Sequence, residues 1–433
     1  MAVVTLGCKT NQFESAAMQE KLVRAGCVSV DFNAGADLVI VNTCTVTAST
    51  DAQSRNLIRR ARRLNPNTRI VVTGCYAQIN PEALRSLPGV SLVIGNEEKA
   101  QLLELLHAEP PNSQQAPAVR VGDIRSVATC APLEIHSFTR RSRAFVQIQN
   151  GCDAFCSYCI IPYARGASRS VPRQQVLEQV TAFARAGYHE LVLTGIHIGG
   201  YGRDLRPPGD LLQLLKSIKH KGFNGRLRLG SIEPTELPDE LCRYVLQSDW
   251  ICPHFHIPLQ SGDDRILRLM NRDYNTKMFA DLLQRLCHLH ADVAIGVDVI
   301  CGFPGETDEH FETTCRLLRE LPVSYLHVFP YSRRPGTPAA QMQGQVPPAV
   351  IKERAAVLRT LSDEKQHQFR RRFLGRMLDM VPERGTEGDL HKGISENYIP
   401  LLIGATAATQ GWQRVKAVEL LPEGLLVEPA GTV

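Results

Sequence analysis

Gly151-Cys-Asp-Ala-Phe-Cys-Ser-Tyr-Cys-Ile-Ile-Pro162 is the stretch on which the fold of this chain turns. It sets Cys152, Cys156 and Cys159 in a C-x3-C-x2-C loop directly after a β-rich run at residues 145–149. Three thiolates this close can hold three irons of a cubane and leave the fourth iron open to an outside ligand. An open position makes a metal centre catalytic rather than structural. The alternative is a zinc knuckle on Cys156-Ser-Tyr-Cys159, but no second C-x2-C or H-x3-H pair accompanies it.

Reading outward, residues 143–332 hold six strand candidates, at 145–149, 191–194, 227–230, 255–259, 293–300 and 326–331, with helical stretches between them. That alternation predicts a partial (β/α)6 TIM-type barrel, with the cysteine loop at the carboxyl end of its first strand, where such barrels place their chemistry. Residues 1–107 form an earlier βα series, with strands near 3–6, 37–41, 69–73 and 90–94, and predict an open parallel α/β sheet. Pro110-Pro-Asn-Ser-Gln-Gln-Ala-Pro117 is polar and proline-rich, and reads as a linker. After a charged helix at 352–372 the chain turns into short glycine-punctuated β runs, such as Tyr398-Ile-Pro-Leu-Leu-Ile, which predict a small β-barrel. The α/β chain thus divides into a first domain at 1–109, a linker at 110–137, a core at 138–365 and a terminal β-barrel at 366–433.

Composition narrows the setting. With 433 residues, 43% hydrophobic and 21% charged, the chain can fill two or three cores. No apolar run approaches the roughly 20 residues that span a bilayer, and the opening residues lack a secretory pattern, so the expectation is a cytoplasmic protein with no membrane partner. Thirteen cysteines, an odd number unevenly spaced in a long chain, fit reduced thiols or metal ligands better than disulfides. The net charge of +5 allows a nucleic-acid partner without demanding one. Arg55, Arg59, Arg60, Arg62 and Arg63, interleaved with Leu57, Ile58, Ala61 and Leu64, read as the solvated face of a helix.

A second thiol set stands in Thr5-Leu-Gly-Cys8, Val41-Asn-Thr-Cys44 and Val72-Thr-Gly-Cys75. Each cysteine ends a predicted strand. In an open parallel sheet the carboxyl ends share one edge, so Cys8, Cys44 and Cys75 should meet in one crevice as a second open-site cluster. Cys27, Cys242, Cys287, Cys301 and Cys315 have no such placement and read as small packing residues. One open-iron cluster suffices for one-electron chemistry on a bound ligand; a second implies that something held there is delivered to the first.

With these residues in view, the chain resembles the radical S-adenosylmethionine methylthiotransferase family over nearly its whole length, the terminal barrel being TRAM-like. Thr5-Leu-Gly-Cys-Lys-Thr-Asn-Gln-Phe-Glu-Ser15, Cys159-Ile-Ile-Pro-Tyr-Ala-Arg-Gly166, Leu193-Thr-Gly-Ile-His-Ile-Gly-Gly-Tyr-Gly202 and Ser231-Ile-Glu-Pro234 look most like the branch acting on N6-threonylcarbamoyladenosine of tRNA. The resemblance implies two [4Fe-4S] clusters and two S-adenosylmethionine molecules, one the methyl donor and one the source of a 5'-deoxyadenosyl radical, converting C2–H at position 37 to C–S–CH3. It places cofactor contacts at Tyr158, Gly195, Ser231, Glu233, Gln260 and Asp298, each of which is also what any βα barrel uses for turns and core hydrogen bonds. It implies a tRNA anticodon loop as partner, whose bases splay at low cost, and an electron donor such as flavodoxin or ferredoxin. Arg165, Arg169, Arg333 and Arg334 are the candidates to meet substrate phosphates or the threonylcarbamoyl carboxylate. The rival substrates are isopentenyladenosine tRNA, whose enzymes usually open Gly-Cys-Gln-Met-Asn, and a ribosomal protein, whose enzymes usually open Gly-Cys-Pro-Lys-Asn. A rival of another class is a non-catalytic iron–sulfur RNA-binding or electron-carrying protein.

Overall fold

A computed structural model of the chain describes residues 1–108, 116–130, 133–138, 141–387, 390–405 and 411–430. Part of the proline-rich linker therefore lies outside the described residues.

The first sheet is built from β1 (Ala2–Thr5), β2 (Leu38–Thr43), β3 (Arg69–Gly74), β4 (Val90–Ile94) and β5 (Ala118–Arg120), all parallel and adjacent in that order. Its inner strands β2, β3 and β4 are buried on both faces, which is why β2 and β3 read as apolar runs. β5 corrects the linker reading: residues 118–120 are the fifth strand of the first sheet, and the first unit runs past residue 109. The helix Ala48–Leu64 buries Ile58 and Ala61 and turns Arg59, Arg60, Arg62 and Arg63 outward, as its apolar spacing predicts.

The second unit carries β6 (Arg143–Gln147), a short β7–β8 pair (Gln149–Asn150 and Arg169–Ser170), then β9 (Glu190–Thr194), β10 (Arg226–Leu229), β11 (His254–His256), β12 (Ala294–Cys301) and β13 (Tyr325–Pro330). Six parallel strands form two three-stranded arcs, β6-β9-β10 and β11-β12-β13, joined by bridges at Leu227–Ile251 and Ser231–His256. This is the expected half-open (β/α)6 barrel. The helix Lys9–Arg24 of the first unit packs against β6, the strand at one edge of the opening, Phe13 and Ala17 entering the same apolar core as Ala144, Val146, Val176 and Phe183. The outward faces of the strands supply that core; the inward faces are polar.

The terminal unit is a closed barrel of β14 (Met377–Glu387), β15 (Leu390–Ser395), β16 (Pro400–Gly404), β17 (Gln413–Leu421) and β18 (Gly424–Pro429). It docks through one buried carboxylate. Glu190 accepts from Arg226 Nε at 2.5 Å and Arg228 Nε at 2.9 Å. The remaining donors of both arginines reach the carbonyls of Asp379, Ile394, Ser395 and Glu396 on the terminal barrel. Removing one partner of a buried ion group leaves uncompensated charge and costs about 3–5 kcal/mol. Glu190→Gln is therefore expected to lower the melting temperature and open the terminal barrel to limited proteolysis; an unchanged digestion pattern would refute this role.

Candidate active site

The cysteine loop is shaped by its backbone. Gly151 sits at φ +75°, and a Cβ there would lie 1.8 Å from the Ala167 carbonyl, so only glycine can lead into Cys152. Cys152 N–H donates to Gly166 O at 3.0 Å and Cys159 N–H to Cys156 O at 2.9 Å, closing the loop around three thiols. Phe155 takes the left-handed conformation at φ +45°, with Asn271 Nδ2 donating to its carbonyl at 3.2 Å. Cationic N–H groups address two of the sulfurs: Arg272 Nη1 lies 3.1 Å from Cys156 Sγ, and His197 Nδ1 lies 3.5 Å from Cys152 Sγ. Such donors stabilise thiolate charge. Burial pushes the Cys159 thiol up to about 12 and raises Cys156 as well, so without a metal these groups hold their protons. Burial opposes charge on His197 too, but Cys152 and Glu236 outweigh it and raise its pKa to about 10.

A cavity of about 700 Å3 opens beside this loop, lined by Cys156, His197, Glu233, Glu236, Asn271 and Arg272 among others. Glu233 is ion-paired to Arg272. The volume suits a nucleoside-sized cofactor.

The second thiol set converges as the sheet predicts. β1, β2 and β3 are in register through Thr5–Asn42, Asn42–Thr73 and Thr43–Gly74, so Cys8, Cys44 and Cys75 leave the same sheet edge from neighbouring strands. The approach is close: a Cβ on Gly7 would stand 2.7 Å from Cys44 Cβ, and one on Gly74 would stand 2.3 Å from Thr43 O. Burial, then the neighbouring Cys75 and Cys8, push the Cys44 thiol up to about 12. Three sulfurs at each site fit two cubanes that each keep an open iron.

The arginines take other places than the sequence suggests. Arg165 is fully buried, ion-paired to Glu14, and donates from Nε to Cys75 Sγ at 3.3 Å. Arg334 is buried against Asp51 at 2.6 Å and Thr45 at 2.7 Å. Arg169 is 2% exposed and donates to Ala167 O. These three corrections share a cause: the segments carrying them are clamped between the first sheet and the barrel, where a guanidinium needs internal partners. Arg333 alone stays exposed, with Nε on Ala340 O at 2.7 Å.

Among the other candidates, Tyr158 packs edge-on to Phe303 at 6.4 Å beneath the loop. Gly195 follows β9, where a Cβ would meet Gln149 O at 2.9 Å. Ser231 is exposed after β10, and Gln260 is buried at φ +65° with its carbonyl accepting from Ile300 N. Asp298 is committed to the barrel interior, accepting from His256 Nε2 at 2.7 Å with His327 Nδ1 at 3.3 Å. Although burial alone would raise it, the two histidines hold its carboxyl well below the usual range. Sequence reading missed His256, His327, His254, Tyr325 and Arg272. The signal was present as a two-residue polar alternation, Arg226-x-Arg228, His254-x-His256 and Tyr325-x-His327, on strands otherwise apolar.

Residues 1–95 match the family model described as Uncharacterized protein family UPF0004, and residues 146–318 that of the Radical SAM superfamily. The chain is 39% identical to the threonylcarbamoyladenosine tRNA methylthiotransferase MtaB of Bacillus subtilis, over 98% of this chain and 94% of that one. The chain belongs to the radical SAM methylthiotransferase family. The protein of the same name from Rickettsia prowazekii is 41% identical, over 92% of this chain and 90% of the relative. Among solved structures, the radical S-adenosylmethionine methyltransferase TsrM from Kitasatospora setae, with tryptophan and a SAM analogue bound, superposes with a TM-score of 0.57. It covers 78% of this chain and 74% of its own at 18% identity, which supports the shared fold alone. As a radical SAM methylthiotransferase, the chain works with S-adenosylmethionine and [4Fe-4S] clusters. No helix among the described residues is long and apolar enough to cross a membrane.

Proposed function

We propose that this enzyme methylthiolates C2 of N6-threonylcarbamoyladenosine at position 37 of tRNA. The observation that carries the reading is the pair of three-cysteine sites, one on the carboxyl edge of the first sheet and one on the barrel loop, tied together by Arg165 reaching from the loop's helix to Cys75. The relatives named for threonylcarbamoyladenosine support that base over isopentenyladenosine or a ribosomal protein.

The bound cofactors supply the methyl group, the sulfur and the hydrogen-abstracting radical. The chain's own residues do the rest. Cys152, Cys156 and Cys159 hold one cluster, and Cys8, Cys44 and Cys75 the other. Arg272 and His197 neutralise thiolate charge and, with Glu233, line the cavity beside the loop, while Gly195, Ser231, Gln260 and Tyr158 are the further S-adenosylmethionine contacts that the family resemblance implies. Asp298 orients His256 and His327 in the lumen rather than meeting the cofactor. The half-barrel, flanked at one edge by the helix Lys9–Arg24, shields the reacting carbon from water. An electron donor such as flavodoxin or ferredoxin and a cytoplasmic setting complete the reading.

For the anticodon loop, an exposed aromatic pair next to the cluster supplies a stacking surface: Phe155 is 51% exposed and Tyr163 39%, their rings 5.8 Å apart and edge-on. A base stacked on an aromatic side chain contributes about 1–3 kcal/mol. Phe155→Ala is thus expected to raise KM for an anticodon stem-loop about tenfold while 5'-deoxyadenosine release stays unchanged; an unaltered KM would remove the pair from the RNA contact.

The whole reading is tested by incubating the reduced, reconstituted protein with S-adenosylmethionine and a stem-loop carrying threonylcarbamoyladenosine, then digesting and weighing the nucleosides. A product heavier by one SCH2 unit supports it. The same gain on isopentenyladenosine alone would transfer the enzyme to the other branch.

A further inference from the structure

The interior of the half-barrel is lined by charge, and nearly all of that charge is matched. Arg226 and Arg228 share Glu190. Arg143 pairs with Glu383 at 2.7 Å, and His256 and His327 share Asp298. His254 meets the Tyr325 hydroxyl at 2.8 Å. The floor is sealed by Tyr398 of the terminal barrel, a residue held at φ +66°, stacked on His254 at 4.5 Å and lying under the Arg228 guanidinium at 5.1 Å.

Lys9 is the exception. It is the first residue of the helix that packs against β6 at one edge of the opening, directly after Cys8 of the sheet-edge trio. Burial lowers its pKa, and the titratable and charged groups that face it, Tyr398, Arg228, Arg143 and Glu190, are those of the lumen. It is half-buried, and among the described residues it makes neither a hydrogen bond nor an ion pair. A partly desolvated cation without a counter-ion is a costly arrangement unless an anion arrives to fill it.

The anion is set by the chemistry proposed above, on which this step rests. C2 of the adenine must lie where both cysteine trios can reach it, and Cys8 puts Lys9 one residue from that point. The threonylcarbamoyl substituent leaves the ring from N6, on a carbon separated from C2 by N1, so its free carboxylate is carried away from the sulfur and deeper into the lumen. We infer that Lys9 is the specificity residue of this enzyme, its ammonium receiving the carboxylate of the threonylcarbamoyl group inside the half-barrel. Arg165, Arg169 and Arg334 are engaged in buried internal contacts, and Arg333 lies on the exposed surface with its Nε on Ala340 O, outside the lumen where Lys9 sits. Lys9 acts as a charge and shape selector: an uncharged apolar N6 substituent gives the ammonium nothing to pair with.

The test varies both partners. Stem-loops carrying either threonylcarbamoyladenosine or its carboxamide are compared with wild-type protein, Lys9→Gln and Lys9→Arg, by binding anisotropy and by methylthiolation, with iron content measured on each preparation. A charged hydrogen bond of this kind separates the two ligands by about 10- to 100-fold. The wild type and Lys9→Arg should bind the acid that much more tightly than the amide; Lys9→Gln should bind both alike, at unchanged iron content. Equal binding of acid and amide by the wild type, or retained discrimination in Lys9→Gln, would overturn the assignment. Loss of iron in Lys9→Gln with discrimination retained would instead make Lys9 a positioning residue for the sheet-edge cluster. Failure of the underlying function looks different: the wild type would leave both threonylcarbamoyl stem-loops unmodified.

Discussion

Replacing Cys8, Cys44 and Cys75 together by alanine is expected to abolish methylthiolation while sparing the radical. About eight irons on the anaerobically reconstituted wild type should fall to about four, and 5'-deoxyadenosine should still be released on reduction with S-adenosylmethionine. The split follows from the architecture. The sheet-edge trio belongs to a parallel sheet with its own core of Val39, Val41, Ile70 and Val72, which contains none of these sulfurs. The barrel trio is held by the Gly151 turn and by Arg272 and His197, none of which needs the other three sulfurs. The reciprocal variant, with Cys152, Cys156 and Cys159 replaced, should also keep about four irons yet lose both the radical and the product. Because the metal-free Cys44 thiol is pushed up to about 12, iron must displace a proton there, and cluster assembly should quicken as pH rises. Four irons in the wild type, untouched by removal of the sheet-edge trio, would leave a one-cluster radical enzyme and remove the basis for sulfur insertion.

How much of this was legible depends on how local each cause is. The C-x3-C-x2-C loop and the strand-terminal cysteines are local patterns, and parallel register does the rest, since strands aligned at Thr5, Asn42 and Thr73 must release their next residues on one edge. The six barrel strands were visible as apolar runs because their outer faces meet helices. Their inner faces were not, because a lumen contact joins residues such as His254 and Tyr325, or Arg228 and Tyr398, that no short window contains. β5 escaped notice because three residues carry too little pattern to be told from a loop. The arginines were misplaced for a related reason: charge density after a cluster loop suggests a solvent-facing mouth, whereas here the first sheet covers Arg165 and Arg334. Lys9 shows the converse, a residue whose position in a motif was plain but whose unpaired ammonium among the lumen charges could be seen only in three dimensions.

Glu14→Gln is expected to damage both stability and the sheet-edge cluster, because Glu14 is the anion on which the two catalytic units converge. Its carboxylate pairs with Lys99 and Arg165, and all three side chains are almost wholly buried. Glu14 comes from the helix packed against β6, Lys99 from the turn Glu98–Gln101, and Arg165 from the end of the helix Ile161–Arg165 that follows the cluster loop. Arg165 spends its remaining donors on Asn11 Oδ1 at 2.5 Å, Asn150 Oδ1 at 3.1 Å and Cys75 Sγ at 3.3 Å. Neutralising Glu14 leaves two buried cations uncompensated, a loss of about 3–5 kcal/mol, and frees Arg165 to move off Cys75. Arg165→Ala removes a cation but leaves Glu14 paired with Lys99, so it should destabilise less than Glu14→Gln while weakening the cluster at Cys75 just as much. Comparing the two variants separates charge balance from thiolate support. Acid gives an independent check. Burial alone would raise the Glu14 pKa, but Arg165 and Lys99 hold it down to about 2, below its unfolded value of about 4.3. Its contribution is therefore present above the unfolded value and lost as pH falls from roughly 4 toward 2. Wild-type stability should drop through that window, and Glu14→Gln, having nothing to protonate there, should show a shallower fall. Equal acid profiles, or a Glu14→Gln protein with unchanged melting temperature and full iron content, would show that the interface is held by its apolar contacts instead.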